Sequence, residues 1–247
     1  MRCLLPEPGP IADLAAFVAA EERPVPAERP WLLVDMIASL DGAVTIDGRS
    51  GGLAGPADKE MFRALRGIGD VVLAGAGTVR AEHYGPPKAS AETRAARRAR
   101  GQSEAPRLAI VSRSLDLDVS AALFVEAEEP PFVVTCRTAP TDAMEALDEV
   151  AEVIVAGDGT VDLVAALGLL RTRGVEVVTC EGGPHLNGDL LLADLIDEWA
   201  LTIAPVLIGG DARRSTTGAL PPGDRAMRLA RVLEDDSVLL TRWVRDR

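Results

Sequence analysis

Aromatic residues make up only 3% of this 247-residue chain, and lysine is nearly absent. A core with so few rings must be aliphatic, and the 47% hydrophobic content supplies it as Val, Leu, Ile and Ala. Cysteine is scarce too. Cys3, Cys136 and Cys180 are odd in number and far apart, which excludes a disulfide framework and points to a reducing, cytoplasmic setting. With only His83 and His185 and no C-x-x-C or H-x-E pattern, a zinc site or other metal centre is not expected. The opening meets Pro6 and Glu7 too early for a secretory signal. The longest apolar run, Leu163 to Leu170 with its glycine, is far short of a membrane span. A net charge of −12 argues against nucleic acid or an anionic membrane as partner. A soluble α/β protein that handles small molecules is the expectation.

The pattern along the chain alternates. Ile11 to Glu22 reads as a short amphipathic helix followed by a Pro-rich linker, so residues 1–29 are expected to precede a single domain over 30–247. Trp31 to Ser39 is a near-continuous apolar run, as in a strand buried on both faces. Further strands are expected at Val71–Ala74, Leu108–Ser112, Phe132–Thr135, Val153–Ala156 and Val175–Thr179. Helices are expected at Asp58–Arg66, Asp142–Leu147 and Thr160–Arg173, the last capped by Thr160 and stopped by Gly174. Trp199–Ala204, Ala230–Leu233 and Val238–Val244 read as consecutive strands, which predicts a mixed, mostly parallel sheet with antiparallel strands added late. The Arg-rich stretch Ala89–Ser103 reads as a mobile insertion, its arginines (94, 97, 98 and 100) a solvated helix face.

Two strand–glycine–helix junctions carry the chemistry. One is Gly75-Ala76-Gly77-Thr78-Val79-Arg80 after an apolar strand; the other is Glu181-Gly182-Gly183-Pro184-His185-Leu186-Asn187-Gly188 before an apolar helix. Glycine lets backbone N–H groups approach a phosphate, and a helix N-terminus adds unpaired donors. Two such junctions suit the pyrophosphate and second nucleotide of a dinucleotide. Asp41, leaving a strand beside Gly42, sits where open α/β sheets bind ligands, and an apolar pocket would raise its pKa for proton transfer; Asp-Gly is equally a common turn. Arg66 could hold a phosphate or merely complement a helix C-terminus. Ser112-Arg113-Ser114 would suit a ribose 2′-phosphate, hence NADPH, or form a solvated turn. His185 is better placed than His83 to touch a ligand.

The ordered set Ser39-Leu40-Asp41-Gly42, Gly75 to Arg80, Glu181 to Gly188 and Ile203-Ala204-Pro205-Val206-Leu207-Ile208-Gly209-Gly210 resembles the pyrimidine reductase family of riboflavin biosynthesis, the reductase domain of the bifunctional deaminase–reductase. The resemblance spans Trp31 to Val244. It implies a dihydrofolate-reductase-like fold, NADPH as hydride donor, a homodimer, and reduction of a ribosylaminopyrimidine 5′-phosphate to its ribitylamino form. By the same resemblance Asp41 is the active-site aspartate. Ile37, Thr78, Glu82 and Gly183 to Asn187 lie on the cofactor side, and Ser39, Ser50, Arg66 and Glu181 on the substrate side. The zinc deaminase half is absent. The segment Ala81 to Lys88 also departs from the family's acidic pair, Pro and Leu-Thr-x-Arg. That departure keeps open reduction of a pterin such as dihydrofolate. A non-catalytic NADPH-binding dimer is the third reading.

Overall fold

The nine-residue run Trp31–Ser39 becomes the hub of the sheet because both of its faces are apolar and both are covered. Leu32 and Val34 point into one cluster with Val178, Leu167 and Leu190, whereas Trp31 and Leu33 point into another with Met61, Leu65 and Leu240. This is the period-two alternation of a strand sandwiched between helix layers. The computed structural model describes residues 1–46 and 48–246.

In chain order the elements are β1 (Arg2–Leu5), β2 (Gly9–Pro10), α1 (Leu14–Ala19), β3 (Trp31–Ser39), α2 (Pro56–Ile68), β4 (Val71–Gly75), α3 (Ala76–Ala81) and α4 (Ala91–Ala99). They continue with β5 (Arg107–Val111), α5 (Ala122–Val125), β6 (Phe132–Thr135), α6 (Thr141–Asp148), β7 (Glu152–Val155) and α7 (Leu163–Arg171). The last are β8 (Val177–Cys180), α8 (Pro184–Leu192), β9 (Glu198–Ala204), β10 (Arg228–Asp235) and β11 (Val238–Val244). All strands join one 11-stranded sheet in the order β2-β1-β10-β11-β9-β3-β8-β4-β5-β6-β7. From β9 to β7 neighbours run parallel, and from β9 through β11 and β10 to β1 and β2 they run antiparallel. The mixed sheet expected from the sequence is therefore present, flanked by helices.

Three readings are corrected by distant contacts. The opening residues form strand β1, which pairs with β10 (Cys3 opposite Leu233), so residues 1–29 contribute sheet as well as helix. The presumed linker is pinned: Arg23 pairs with Glu21 and with buried Glu198, and Arg29 pairs with Asp197. The Arg-rich segment is a docked helix. Ser90 caps α4 by accepting from Thr93 N–H, and Arg97, fully buried, donates to the carbonyls of Ser103, Gly67 and Gly69. Arg100 donates to Gly67 as well. Two guanidinium groups thus satisfy carbonyls left over at the C-terminus of α2. Burial pulls the Arg97 guanidinium down to about 10.

A fourth correction, made by a local cap, concerns α7. It starts at Leu163 rather than Thr160, because Asp162 accepts hydrogen bonds from the N–H groups of Val164 and Ala165, both at 3.0 Å. Gly174, at φ +83°, closes the end, where Val175 N–H returns to Leu170 O. Asp162→Ala is expected to lower stability by about 1 kcal/mol, read as a shifted urea midpoint with an unchanged slope.

Candidate active site

β8 pairs with β3 only as far as Cys180 opposite Val34, and with β4 as far as Cys180 opposite Leu73. There β8 leaves the sheet, and a cleft of about 1090 Å³ opens over the C-terminal ends of the parallel strands. A parallel sheet presents its ligand crevice at this edge. At this volume the cleft lies at or above the upper end of typical small-molecule pockets, roughly 300–1,000 Å³.

The two glycine junctions meet on one side of it. Gly75 N–H donates to Gly182 O at 2.8 Å, and Glu181 N–H donates to Leu73 O. The Gly182–Gly183 peptide is cis, and Gly182 sits at φ +84°. A Cβ on Gly183 would lie 2.5 Å from the Thr78 hydroxyl oxygen, so α3 and the start of α8 touch backbone to side chain. A Cβ on Gly77 would meet nothing within 4 Å, so the cleft there is bounded by bare backbone. Gly75, Ala76, Gly77, Thr78, Gly183, Pro184, His185 and Leu186 all line the cleft, as do Ile37, Ser112, Arg113 and Glu82. α8 begins here with Pro184 at its first turn and no side chain capping its N–H groups. Helix N–H groups, bare glycine backbone and, beyond them, the exposed Arg113 form a donor set suited to an anionic dinucleotide. Asn187 lies behind this wall, buried, with its amide donating to Ser215 O and to the Met36 sulfur. Its position fastens the loop around residue 215 to α8.

Acid and base are arranged differently from expectation at the other side. Arg66 is locked to Glu181 in a two-bond fork of 2.6 and 2.7 Å, and Tyr84 donates its hydroxyl to the same carboxylate at 2.6 Å. The guanidinium also lies 4.2 Å above the Phe62 ring. Glu181, Tyr84 and Phe62 line the cleft, while Arg66 stands behind them. Its geometry is that of a half-buried counter-ion to Glu181. Burial and the adjacent Glu181 carboxylate push the Tyr84 phenol well up, which keeps it a hydrogen-bond donor. Ser50 lines the cleft, and both its N–H and hydroxyl donate to Glu82, joining the segment before α2 to the end of α3.

Asp41 is exposed and does not line the cleft. It accepts from the Ser39 hydroxyl at 2.5 Å and from the N–H groups of Ile208 and Gly209. The pKa expected to rise is instead lowered to about 2, first by the Ser39 hydroxyl and then by Gly209 N–H. Hydrogen bonds to the ionised form outweigh the smaller opposing effect of burial. Ser39, buried, also accepts Ala43 N–H, so the Ser39–Asp41 pair shapes the turn after β3.

The residue that sequence reasoning missed is Asp35. It is half-buried on the cleft floor, one position past the end of the β8 pairing and beside Asp58 and Glu181. Burial, then the charges of Asp58 and Glu181, push its carboxyl well above the usual range against the opposing pull of Arg66 and Arg231. Burial raises Asp58 as well, partly offset by the Thr202 hydroxyl and Lys59. The signal for Asp35 was in plain view: a carboxylate in the middle of an otherwise apolar strand.

The RibD C-terminal domain model matches residues 30–241. A 2,5-diamino-6-ribosylamino-4(3H)-pyrimidinone 5′-phosphate reductase from Archaeoglobus fulgidus is 31% identical over 183 residues, covering 74% of this chain and 83% of the relative. The crystal structure of a pyrimidine reductase-like protein from Corynebacterium diphtheriae superposes with a TM-score of 0.79 at 28% identity, over 88% of this chain and 92% of the other. A riboflavin biosynthesis reductase from Saccharomyces cerevisiae shares the fold at 20% identity, with a TM-score of 0.68 over 95% and 100% of the two chains. With this fold, its paired glycine junctions and that match over most of its length, the chain belongs to the RibD C-terminal domain family.

Proposed function

We propose that this protein reduces a ribosylaminopyrimidine 5′-phosphate to its ribitylamino form, with NADPH as the electron donor. The observation that carries the reading is a single cleft with two unlike sides. One is bare glycine backbone at Gly77 and Gly183 with the start of α8; the other is a wall of Phe62, Tyr84, Glu181 and Asp35. The first has the donors a pyrophosphate needs, and the second has the flat apolar surface and hydrogen-bonding carboxyl groups that suit an amino-substituted pyrimidine ring. When bound, the dihydronicotinamide would supply a hydride to the sugar C1. The protein's part is to align the two ligands, exclude water and manage one proton.

Arg113, exposed at the end of β5 with Ser112 and Ser114 beside it, is the group available for a 2′-phosphate. The named substrates of the relatives support a pyrimidinone phosphate. The family resemblance extends this reading to a homodimer in the cytoplasm, which sedimentation and fractionation address. The test is loss of dihydronicotinamide absorbance with the 2,5-diamino ribosylaminopyrimidinone phosphate, its deaminated analogue and dihydrofolate, each with NADPH and NADH. Turnover on a ribosylaminopyrimidine with NADPH preferred is expected, and Arg113→Ala should selectively weaken NADPH. Turnover on dihydrofolate alone would transfer the site to pterins, and NADPH binding without any turnover would make the protein a binder.

A further inference from the structure

We propose that Asp35 is the acid of the reaction: its carboxyl gives a proton to the sugar-ring oxygen and opens the ribose to the species that takes the hydride. This inference rests on the ribosylaminopyrimidine reading above and names the group that reading leaves open. Asp41, the acid expected from the sequence, is tied to Ser39, Ile208 and Gly209 away from the cleft lining.

Placement comes from the strand register. Trp31 and Leu33 face the α2 side of the sheet, so by alternation Asp35 faces the same side, opposite Ala200 on β9 and next to the gap where β8 departs. Among the described residues no side chain donates a hydrogen bond to it. Its charged neighbours are Asp58 and Glu181, of like sign, and Arg66 and Arg231, of opposite sign. Both cations are engaged elsewhere, Arg66 in the Glu181 fork and Arg231 with Glu21. The charge of Lys59 acts on Asp58, and Tyr84 donates to Glu181. A carboxyl between two others, with nearby cations already claimed, holds its proton and presents an O–H donor to the cleft.

The bonds balance with that one proton. As it moves to the ring oxygen, the C1–O bond breaks and the lone pair of the exocyclic nitrogen forms a C1=N iminium. A bound dihydronicotinamide would supply the hydride at C1 that leaves a neutral secondary amine, and Asp35 regains its proton from solvent. The iminium faces the newly ionised Asp35 with Asp58 and Glu181 beside it, so the acidic neighbourhood that keeps Asp35 protonated also favours the cation it creates.

The test compares the unmodified protein with Asp35→Asn and Asp35→Glu. In the asparagine variant kcat should fall about 10²–10⁴-fold, the range of general acid–base catalysis. The alkaline fall of kcat in the unmodified protein should disappear, the glutamate variant should recover part of the rate, and dinucleotide affinity by fluorescence should not move. Two readouts do not depend on turnover. An infrared carbonyl band of a protonated carboxylic acid should be present at neutral pH and absent from Asp35→Asn. Because the folded pKa lies above the unfolded one, the folded state binds the extra proton, and stability falls as pH rises from about 4 towards the folded value. Asp35→Asn should therefore flatten this decline and raise the melting temperature at neutral pH. Unchanged kcat and pH profile in Asp35→Asn, with an active parent protein, would overturn the acid and leave the substrate reading standing. A parent protein inactive on every ribosylaminopyrimidine would remove the substrate reading and the acid's role with it.

Discussion

Arg66→Met is expected to cost about 3–5 kcal/mol of folding stability, the usual penalty for stripping one partner from a buried ion pair. Side-chain exposure is 21% for Arg66 and 3% for Glu181, so water replaces little of the lost fork. Glu181 would keep only the Tyr84 hydroxyl, in a pocket that already holds Asp35 and Asp58. Three carboxyl groups would then share a cleft from which the Arg66 guanidinium has gone. Methionine preserves the stacking over Phe62, so the loss reports the charge rather than the packing. Arg66→Lys should fall between the two, because an ammonium cannot reproduce a planar two-bond fork. Guanidinium unfolding curves decide the matter. A variant with unchanged stability and only a raised KM would return Arg66 to the phosphate-binding role expected from its position in the sequence.

Gly77→Leu is expected to leave the fold intact and abolish the dinucleotide site. A side chain there enters open cleft rather than packed protein, and in the first turn of α3 leucine is favoured over glycine by about 0.5–1 kcal/mol. Its branched end would occupy the space beside Gly183 that the pyrophosphate is proposed to use. Dinucleotide affinity should fall at least about a hundredfold, near 2.7 kcal/mol, with an equal or higher melting temperature. Titration followed by tryptophan fluorescence separates the two quantities, and retained affinity would move the dinucleotide off this rim. Gly188 is a glycine for a different reason. A Cβ there would lie 1.9 Å from the Thr217 carbonyl oxygen, so close packing of the loop on α8 requires its absence.

Much of the architecture was legible because it depends on local periodicity. The strands at Phe132–Thr135 and Val238–Val244 lie where composition places them. Others differ by one to three residues at the ends, where capping side chains such as Asp162 decide the boundary. The glycine junctions were legible for the same reason: a strand, a turn without side chains and a helix are contiguous in the chain. Pairings across long separations were not. Whether Arg66 faces solvent, phosphate or carboxylate depends on Glu181, 115 residues away. Whether Arg97 is solvated depends on where α2 ends, 30 residues earlier. The opening segment showed no strand alternation of its own and became β1 because β10 offered it an edge.

Asp35 and Asp41 mark the boundary most clearly. Local sequence determined that one carboxylate sits within an apolar strand and the other in an Asp-Gly turn six residues on. Only the tertiary structure decided how far their pKa values move apart, by burying the first beside Asp58 and Glu181 and by turning the backbone N–H groups of Gly209 and Ile208 onto the second, in support of its local Ser39 hydroxyl. A carboxyl's charge state is set by burial and by the charges and donors around it, and in a folded chain those neighbours are seldom its neighbours in sequence.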